Sequence, residues 1–156
     1  MPVIHLETLI AAPAERCFDL MRDVDVHTRS AVGWQERAVG GTTHGLLGQG
    51  DEVTWEAVHL GLRQRLTARV TRCERPHLLV DEQVRGPFRR FIHRHAFRPV
   101  TGGTLMVDDV CSTAPLGPLG GVADKLFLER HLRAFLQARA GVLKQIAETE
   151  PPARTD

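Results

Sequence analysis

The sequence contains no tyrosine, and six phenylalanines and two tryptophans supply all its aromatic rings apart from histidine. A phenol is therefore missing from the groups that could donate a hydrogen bond to a developing oxyanion. The three cysteines, Cys17, Cys73 and Cys111, show no paired spacing. Neither a disulfide framework nor a cysteine zinc site is expected, and buried thiols in a reducing compartment are the simpler interpretation.

A large net charge and long apolar runs are also missing. Twenty basic residues face nineteen acidic ones, for a formal net charge of +1, so the balance gives no reason to expect a nucleic-acid partner. No window is long and apolar enough to span a bilayer, and the first residues lack the pattern of a secretory signal. The sequence thus predicts a cytoplasmic protein without stable membrane insertion, either a monomer or a homodimer.

The length of 156 residues fits one domain. We expect that domain to cover residues 1–150 and residues 151–156 to form a disordered tail. A first strand is predicted over residues 3–10, a short helix over residues 13–23 with one further helical turn after it, and another strand over residues 35–40.

Two alternating segments after the glycine-rich loop fix each other's register. If Leu60-Gly61 forms a two-residue hairpin loop, Trp55 lies on a mostly apolar face. The other face then carries two opposite-charge pairs and a threonine pair, which cross-strand energetics favours. These pairs are Glu52 with Arg69, Thr54 with Thr67, and Glu56 with Arg65.

The stretch FIHRHAF places two histidines inside an apolar frame. On a strand, His93 and His95 share one face with Phe91 and Phe97, while the neighbouring arginines mark the wet face. Two imidazoles beside two phenylalanines are typical of a metal site, an acid/base site or a polar patch in a binding cavity.

Hairpin geometry suggests which residues meet these histidines. With Gly86-Pro87 as a two-residue tip, Glu82 lies opposite Phe91 on the interior face, and Asp81 lies among the outward-facing residues. A turn of two or four residues centred on Thr101-Gly102 pairs His95 with Asp108. The same turn pairs Phe97 with Met106, whereas a three-residue loop would bring Asp109 inward in place of Asp108.

The periodicity changes from two to helical after the proline- and glycine-rich stretch at residues 115–121. Apolar residues at spacings of three and four predict a helix from about Gly121 to Glu148, the longest element of the chain. Arg139 is the one strong charge on this apolar stripe, which suggests pairing with a carboxylate or a position at the rim.

Antiparallel strands with one apolar face need a cover, and this helix supplies it. The fold class is therefore α+β, a curved antiparallel sheet wrapped around a long C-terminal helix, with two short helices after the first strand.

The succession of APAERCFDLMRD, GLLGQGDEVTWEA, DEQVRGPFRRFIHRHAFRP, GGTLMVDDV and PLGPLGG before the long helix resembles the START/polyketide-cyclase-like (SRPBCC) superfamily with its helix-grip fold. The resemblance covers nearly the whole chain. It implies a cavity between sheet and helix, used in most members to bind or transport apolar small molecules and in some members for enzymatic cyclisation. No catalytic motif of the superfamily can be matched position by position.

The function expected from these observations is binding of a small, largely apolar or amphipathic organic molecule in that cavity. The alternative is a polyketide cyclase/dehydratase-like enzyme that uses a cavity histidine–carboxylate pair as general acid/base. Its candidate catalytic residues are His95, Asp108, His93 and Glu82. An H-x-H strand with a nearby carboxylate could supply an iron or zinc site, but the glutamate that a cupin would place a few residues further on is replaced by Arg98, Pro99 and Val100. No metal and no other cofactor is therefore assigned. A fully paired, purely structural network of the same groups is the simplest interpretation of each residue alone. The expected ligand-binding residues are Trp55, Glu82, Phe91, His93, His95, Phe97, Met106, Asp108, Leu132 and Phe135.

Overall fold

Alternation of apolar and polar residues produces seven strands in the structure. A computed structural model describes residues 3–113 and 122–151 of the chain. Its strands are β1 (Val3–Ile10), β2 (Arg37–Gly41), β3 (Glu52–His59), β4 (Leu62–Glu74), β5 (Leu78–Arg85), β6 (Arg90–Val100) and β7 (Gly103–Thr113). They form one antiparallel sheet in the order β1-β7-β6-β5-β4-β3-β2, so β1 and β2 are its edges. The predicted fold class is confirmed.

Three α-helices accompany the sheet: α1 (Ala14–Met21), α2 (Val24–Ser30) and α3 (Val122–Thr149). Asp23 separates the first two, because its carboxylate accepts hydrogen bonds from the backbone N–H groups of Asp25 and Val26 and so caps α2. The predicted start of the long helix at Gly121 and the tail at residues 152–156 lie outside the described residues. None of the described helices combines the length and apolar character needed to cross a membrane.

The hairpin between β3 and β4 has the predicted register. Leu60 and Gly61 both have positive φ, 55° and 76°, as a type I′ turn requires. The hydroxyls of Thr54 and Thr67 lie 2.9 Å apart across the strands. The hairpin between β6 and β7 is also confirmed, with Val100 opposite Gly103 and His95 opposite Asp108.

The predicted register between β5 and β6 is wrong. The connection is four residues long, from Gly86 to Arg89, instead of two. Asp81 pairs with His93, and Glu82 pairs with Ile92 instead of the predicted Phe91. A shift of one position in the pairing turns every side chain to the other face, so Asp81 points inward and Glu82 outward. The Gln83 side chain fixes the longer loop, since its amide bonds both the carbonyl and the N–H of Phe88.

The apolar stripe of α3 packs on the inner face of the sheet in two groups. Leu132, Phe135 and Leu136 join Ile4 and Val110 in one cluster. Further along α3, Ala140, Leu143 and Ala147 join Phe18 of α1 and Phe97 of β6 in another. The short helix α1 thus closes one end of the space beneath α3.

Phe97 is 1% exposed, and its ring meets that of Phe18 edge-on at 5.5 Å between centroids. We expect Phe97→Ala to lower the free energy of unfolding by about 3–5 kcal/mol, because it leaves a void in a packed cluster. Phe127→Ala, at a side chain that is 60% exposed, should cost less than about 0.5 kcal/mol. Urea unfolding followed by circular dichroism measures both, and similar losses in the two variants would contradict this assignment of the core.

Candidate functional site

A cavity of about 150 Å³ lies between the inner face of the sheet and α3. It exists because β3 and β4 present the small side chains of Ala57 and Ala68 inward, while bulky residues surround them. A space of this size accommodates one aromatic ring. Its wall is mostly apolar and includes Trp55, Leu66, Val70, Leu79, Phe91, Leu132, Phe135 and Leu136.

One polar cluster in this wall is built by three neighbouring strands. His95 Nδ1 donates a hydrogen bond to Asp108 Oδ1 at 2.5 Å, and His93 Nε2 lies 3.1 Å from the same oxygen. On its other side, His95 Nε2 lies 3.5 Å from Asp81 Oδ2. His95 therefore bridges two carboxylates, one on β7 and one on β5. The side chains of His93, His95 and Asp108 are at most 6% exposed, whereas that of Asp81 is 26% exposed.

Charge and burial act in opposite directions on this cluster. Burial alone would lower the pKa of His95, but the attraction of Asp108 and Asp81 raises it to about 9. Burial also disfavours a charged Asp108, yet the neighbouring His95 and His93 hold the pKa of that carboxyl well below its ordinary value. The pKa of His93 is lowered, first by burial and then by the charge of His95. The cluster is therefore one imidazolium between two carboxylates, with a neutral imidazole beside it.

A second polar cluster joins α2, α3 and the residue before β2. Arg139 Nη2 donates to His27 Nδ1 at 2.7 Å, and His27 Nε2 contacts Glu36 Oε1. An arginine cannot accept a hydrogen bond, so His27 Nδ1 must be the unprotonated nitrogen and Nε2 must carry the hydrogen. The imidazole is therefore neutral and links the guanidinium to the carboxylate. Trp55 stacks on it with 3.7 Å between ring centroids.

Burial and the nearby Arg139 charge lower the pKa of His27 to about 4. Arg139 lies with its guanidinium 5.6 Å from the centre of the Phe135 ring. Its Nε is buried and has no hydrogen-bond partner within the described part of the chain. An unsatisfied donor on a charged group is costly, and Arg139 lines the cavity.

The rim of the cavity is formed by two hairpin loops and the first described turns of α3. Leu60 comes from the β3–β4 turn, and Pro87 and Phe88 come from the β5–β6 loop. Leu128 and His131 come from α3, and His131 Nε2 lies 3.0 Å from His59 Nδ1. The rim is thus largely apolar.

The structure brings together most of the side chains that the sequence analysis proposed, but not all of them. Trp55, Phe91, His93, His95, Leu132 and Phe135 line the cavity. Asp108 is not in the cavity wall and reaches it through the two imidazoles it bonds. Glu82 is a correction, because it pairs with Ile92 instead of Phe91, which places it on the outer face. Phe97 and Met106 are corrections as well, since α1 covers that end of the sheet and buries both in the core.

Sequence reasoning missed the polar residues of the cavity wall that lie outside the His93–His95 pair, among them Asp81, His27, Glu36 and Arg139 in that role. Arg139 carried a signal, being the one strong charge on the apolar stripe of α3. To place Asp81 in the cavity wall, the sequence analysis would have needed the correct register between β5 and β6. His27 lies in the short helix α2 and Glu36 lies just before β2, and both segments are too short for a periodic pattern to direct these side chains inward.

The chain matches one family model, described as "Polyketide cyclase / dehydrase and lipid transport", over residues 10–139. A search of curated proteins gave no match. Among solved structures, TTHA0849 from Thermus thermophilus superposes with a TM-score of 0.73 at 19% identity, over 94% of this chain and 100% of that one.

Two further structures share the fold. The ginseng major latex-like protein 151 from Panax ginseng has a TM-score of 0.68 at 10% identity, with 94% of this chain and 97% of that chain covered. The di-domain ARO/CYC StfQ from the steffimycin biosynthetic pathway has a TM-score of 0.75 at 14% identity over 93% of this chain, which spans 50% of StfQ. At these identities the similarities establish the helix-grip fold alone.

The neutral state of His27 predicts a pH dependence of stability. Its pKa is about 4 in the folded chain against 6.5 in the unfolded one, so the unfolded chain binds the extra proton between these values. The contribution is therefore fully present above about pH 6.5 and is lost as pH falls toward about 4. From about pH 7.5 to about pH 5, we expect the wild type to lose about 2 kcal/mol more unfolding free energy than His27→Gln, which has no titratable group at this position. Urea unfolding of both proteins at each pH measures the difference, and parallel losses would contradict the neutral assignment.

Proposed function

Since the chain belongs to the polyketide cyclase / dehydrase and lipid transport family, we propose that it binds a small, largely apolar organic molecule with a polar end in the cavity between the sheet and α3. The observation that carries this proposal is the combination of an apolar wall with a few convergent polar groups, which is the usual composition of a small-molecule site. The volume of about 150 Å³ favours a compact aromatic or short-chain molecule.

The polar end of the ligand is best placed at Arg139. Its buried Nε lacks a partner among the described residues, so a ligand oxygen that accepts from it would satisfy the guanidinium. The His27–Glu36 contact already compensates part of the Arg139 charge, so a neutral hydroxyl or carbonyl is sufficient and a full negative charge is not required. Trp55, stacked on His27, then provides an aromatic surface next to this end.

The alternative, a cyclase- or dehydratase-like enzyme with His95 as general acid/base, is less well supported by the geometry. Both ring nitrogens of His95 already face carboxylates, Asp108 at 2.5 Å and Asp81 at 3.5 Å. A bound molecule could exchange a proton with His95 Nε2 only by moving Asp81 aside. Of the two functions, the geometry therefore favours binding.

We also propose that the protein acts in the cytoplasm as one domain over residues 1–150. The thiols of Cys17, Cys73 and Cys111 are unpaired, which is consistent with a reducing compartment.

Filling the cavity should abolish binding of an apolar probe. We expect Leu132→Trp to weaken the binding of benzene at least about tenfold, because the larger side chain occupies part of a space that holds about one ring. Arg130→Trp, on the exposed side of the same helix, adds the same indole outside the cavity and should leave affinity unchanged. Isothermal titration calorimetry measures both. An equal effect of the two variants, or none from Leu132→Trp, would place the probe elsewhere.

The role of Arg139 can be tested with a probe pair that differs by one hydroxyl. We expect the wild type to bind phenol about tenfold more tightly than benzene, the ratio that a hydrogen bond to a charged group supplies. Arg139→Met keeps the length of the side chain and should remove this preference, while Arg130→Met should retain it. If Arg139→Met still prefers phenol, the polar end of the ligand lies at another group.

A further inference from the structure

Three side chains in the cavity wall converge in a way that binding of an apolar molecule does not require. Asp81 of β5 and His93 and His95 of β6 each offer one potential metal-ligating atom, and these three atoms lie within 4.8 Å of one another. Two imidazoles and one carboxylate are a common ligand set for zinc and for non-haem iron. The register between β5 and β6 brings them together, because Asp81 lies directly opposite His93.

The distance between His95 and Asp81 fits an ion bound by both. His95 Nε2 and Asp81 Oδ2 are 3.5 Å apart, which is wider than a good hydrogen bond. Two ligands at about 2.1 Å from a tetrahedral ion are separated by roughly 3.4 Å. The remaining nitrogen, His95 Nδ1, donates to Asp108 at 2.5 Å. Metal-bound histidines almost always have such an outer carboxylate or carbonyl partner, which fixes the tautomer and the ring orientation.

We propose that Asp81, His93 and His95 bind a divalent transition-metal ion, Zn²⁺ or Fe²⁺, at the wall of the cavity, with Asp108 as a positioning residue. All three ligands line the cavity and Asp108 does not. The ion would therefore have an open coordination position on the cavity side, while Asp108 would hold the histidine ligands from the opposite side. That position is available to water or to an oxygen of a bound organic molecule.

The surrounding charges permit a dication here. Asp81 and Asp108 supply two carboxylates around two imidazoles. Arg139 is the nearby cation that opposes binding, but its charge is offset by Glu36 through His27. A hydrogen-bonded bridge from Asp108 through His95 to Asp81 without any ion uses the same residues, and metal titration distinguishes the two arrangements.

The test uses the full-length protein after treatment with a chelator and its removal. Titration with Zn²⁺ in a calorimeter should show one ion per chain with micromolar or tighter affinity. Asp81→Asn, which keeps the shape of a partly exposed side chain, should weaken binding at least about tenfold, and Asp108→Asn should weaken it about 10–100-fold while keeping the stoichiometry. With Co²⁺, the wild type should develop visible absorption bands of a tetrahedral or five-coordinate ion, and Asp81→Asn should alter or lose them.

Histidine elsewhere in the chain provides the controls. His44 is an exposed histidine 2.9 Å from Asp25, and His44→Ala should leave the Zn²⁺ affinity unchanged. Thermal unfolding of each variant without metal establishes that it folds, and a fixed Zn²⁺ concentration should raise the midpoint more for the wild type than for Asp81→Asn. Absence of binding to the wild type, or an affinity that Asp81→Asn leaves intact, would overturn the proposal. So would loss of binding in His131→Ala with Asp81→Asn unaffected, since the ion would then lie at the His59–His131 pair of the rim.

Discussion

The buried carboxylate of Asp108 imposes the strongest constraint on this structure. A charge that is 4% exposed costs several kcal/mol unless it is paired and hydrogen-bonded. Asp108 meets that requirement by accepting from both His93 and His95, which works only if β6 and β7 keep the register set by the tight turn at Thr101-Gly102. The two imidazoles are thereby oriented with their other edges toward the cavity. The interior polarity and the pairing of the central strands thus depend on one another.

The cavity follows from an unequal distribution of side-chain volume along the sheet. At one end, Phe97 and Met106 meet Phe18 of α1 and fill the space beneath α3. Over β3 and β4, Ala57 and Ala68 leave it open. The long helix is held over this gap partly by Arg139, whose contact with His27 ties α3 to α2. Two polar clusters, one from the sheet and one from the helices, therefore face a mainly apolar space, and this arrangement underlies both the binding and the metal proposals.

Most of the fold could be predicted from the sequence because its signals are local. The β3–β4 hairpin satisfied two independent patterns at once, charge pairing on one face and apolar residues on the other, and any slip would have broken both. The β5–β6 hairpin offered no such second pattern. Carboxylates occupy two successive positions, Asp81 and Glu82, so either register placed one of them inward. The bonds between Gln83 and Phe88 that stabilise the four-residue loop are side-chain contacts, which strand periodicity does not encode.

The residues of the site also fall into two groups, those that a local pattern predicts and those that it does not. The order of the amino acids alone places His93, His95, Phe91 and Trp55 on the inner face, because alternation on a strand is a property of neighbouring residues. It also predicts that a long apolar helix covers this face. Three features arise only in the folded chain: Asp81 joins the histidines, α1 takes Phe97 and Met106 into the core, and His27 and Glu36 reach Arg139. Each of these depends on strand register or on the packing of a distant element, and such contacts gain their energy only once the chain has folded.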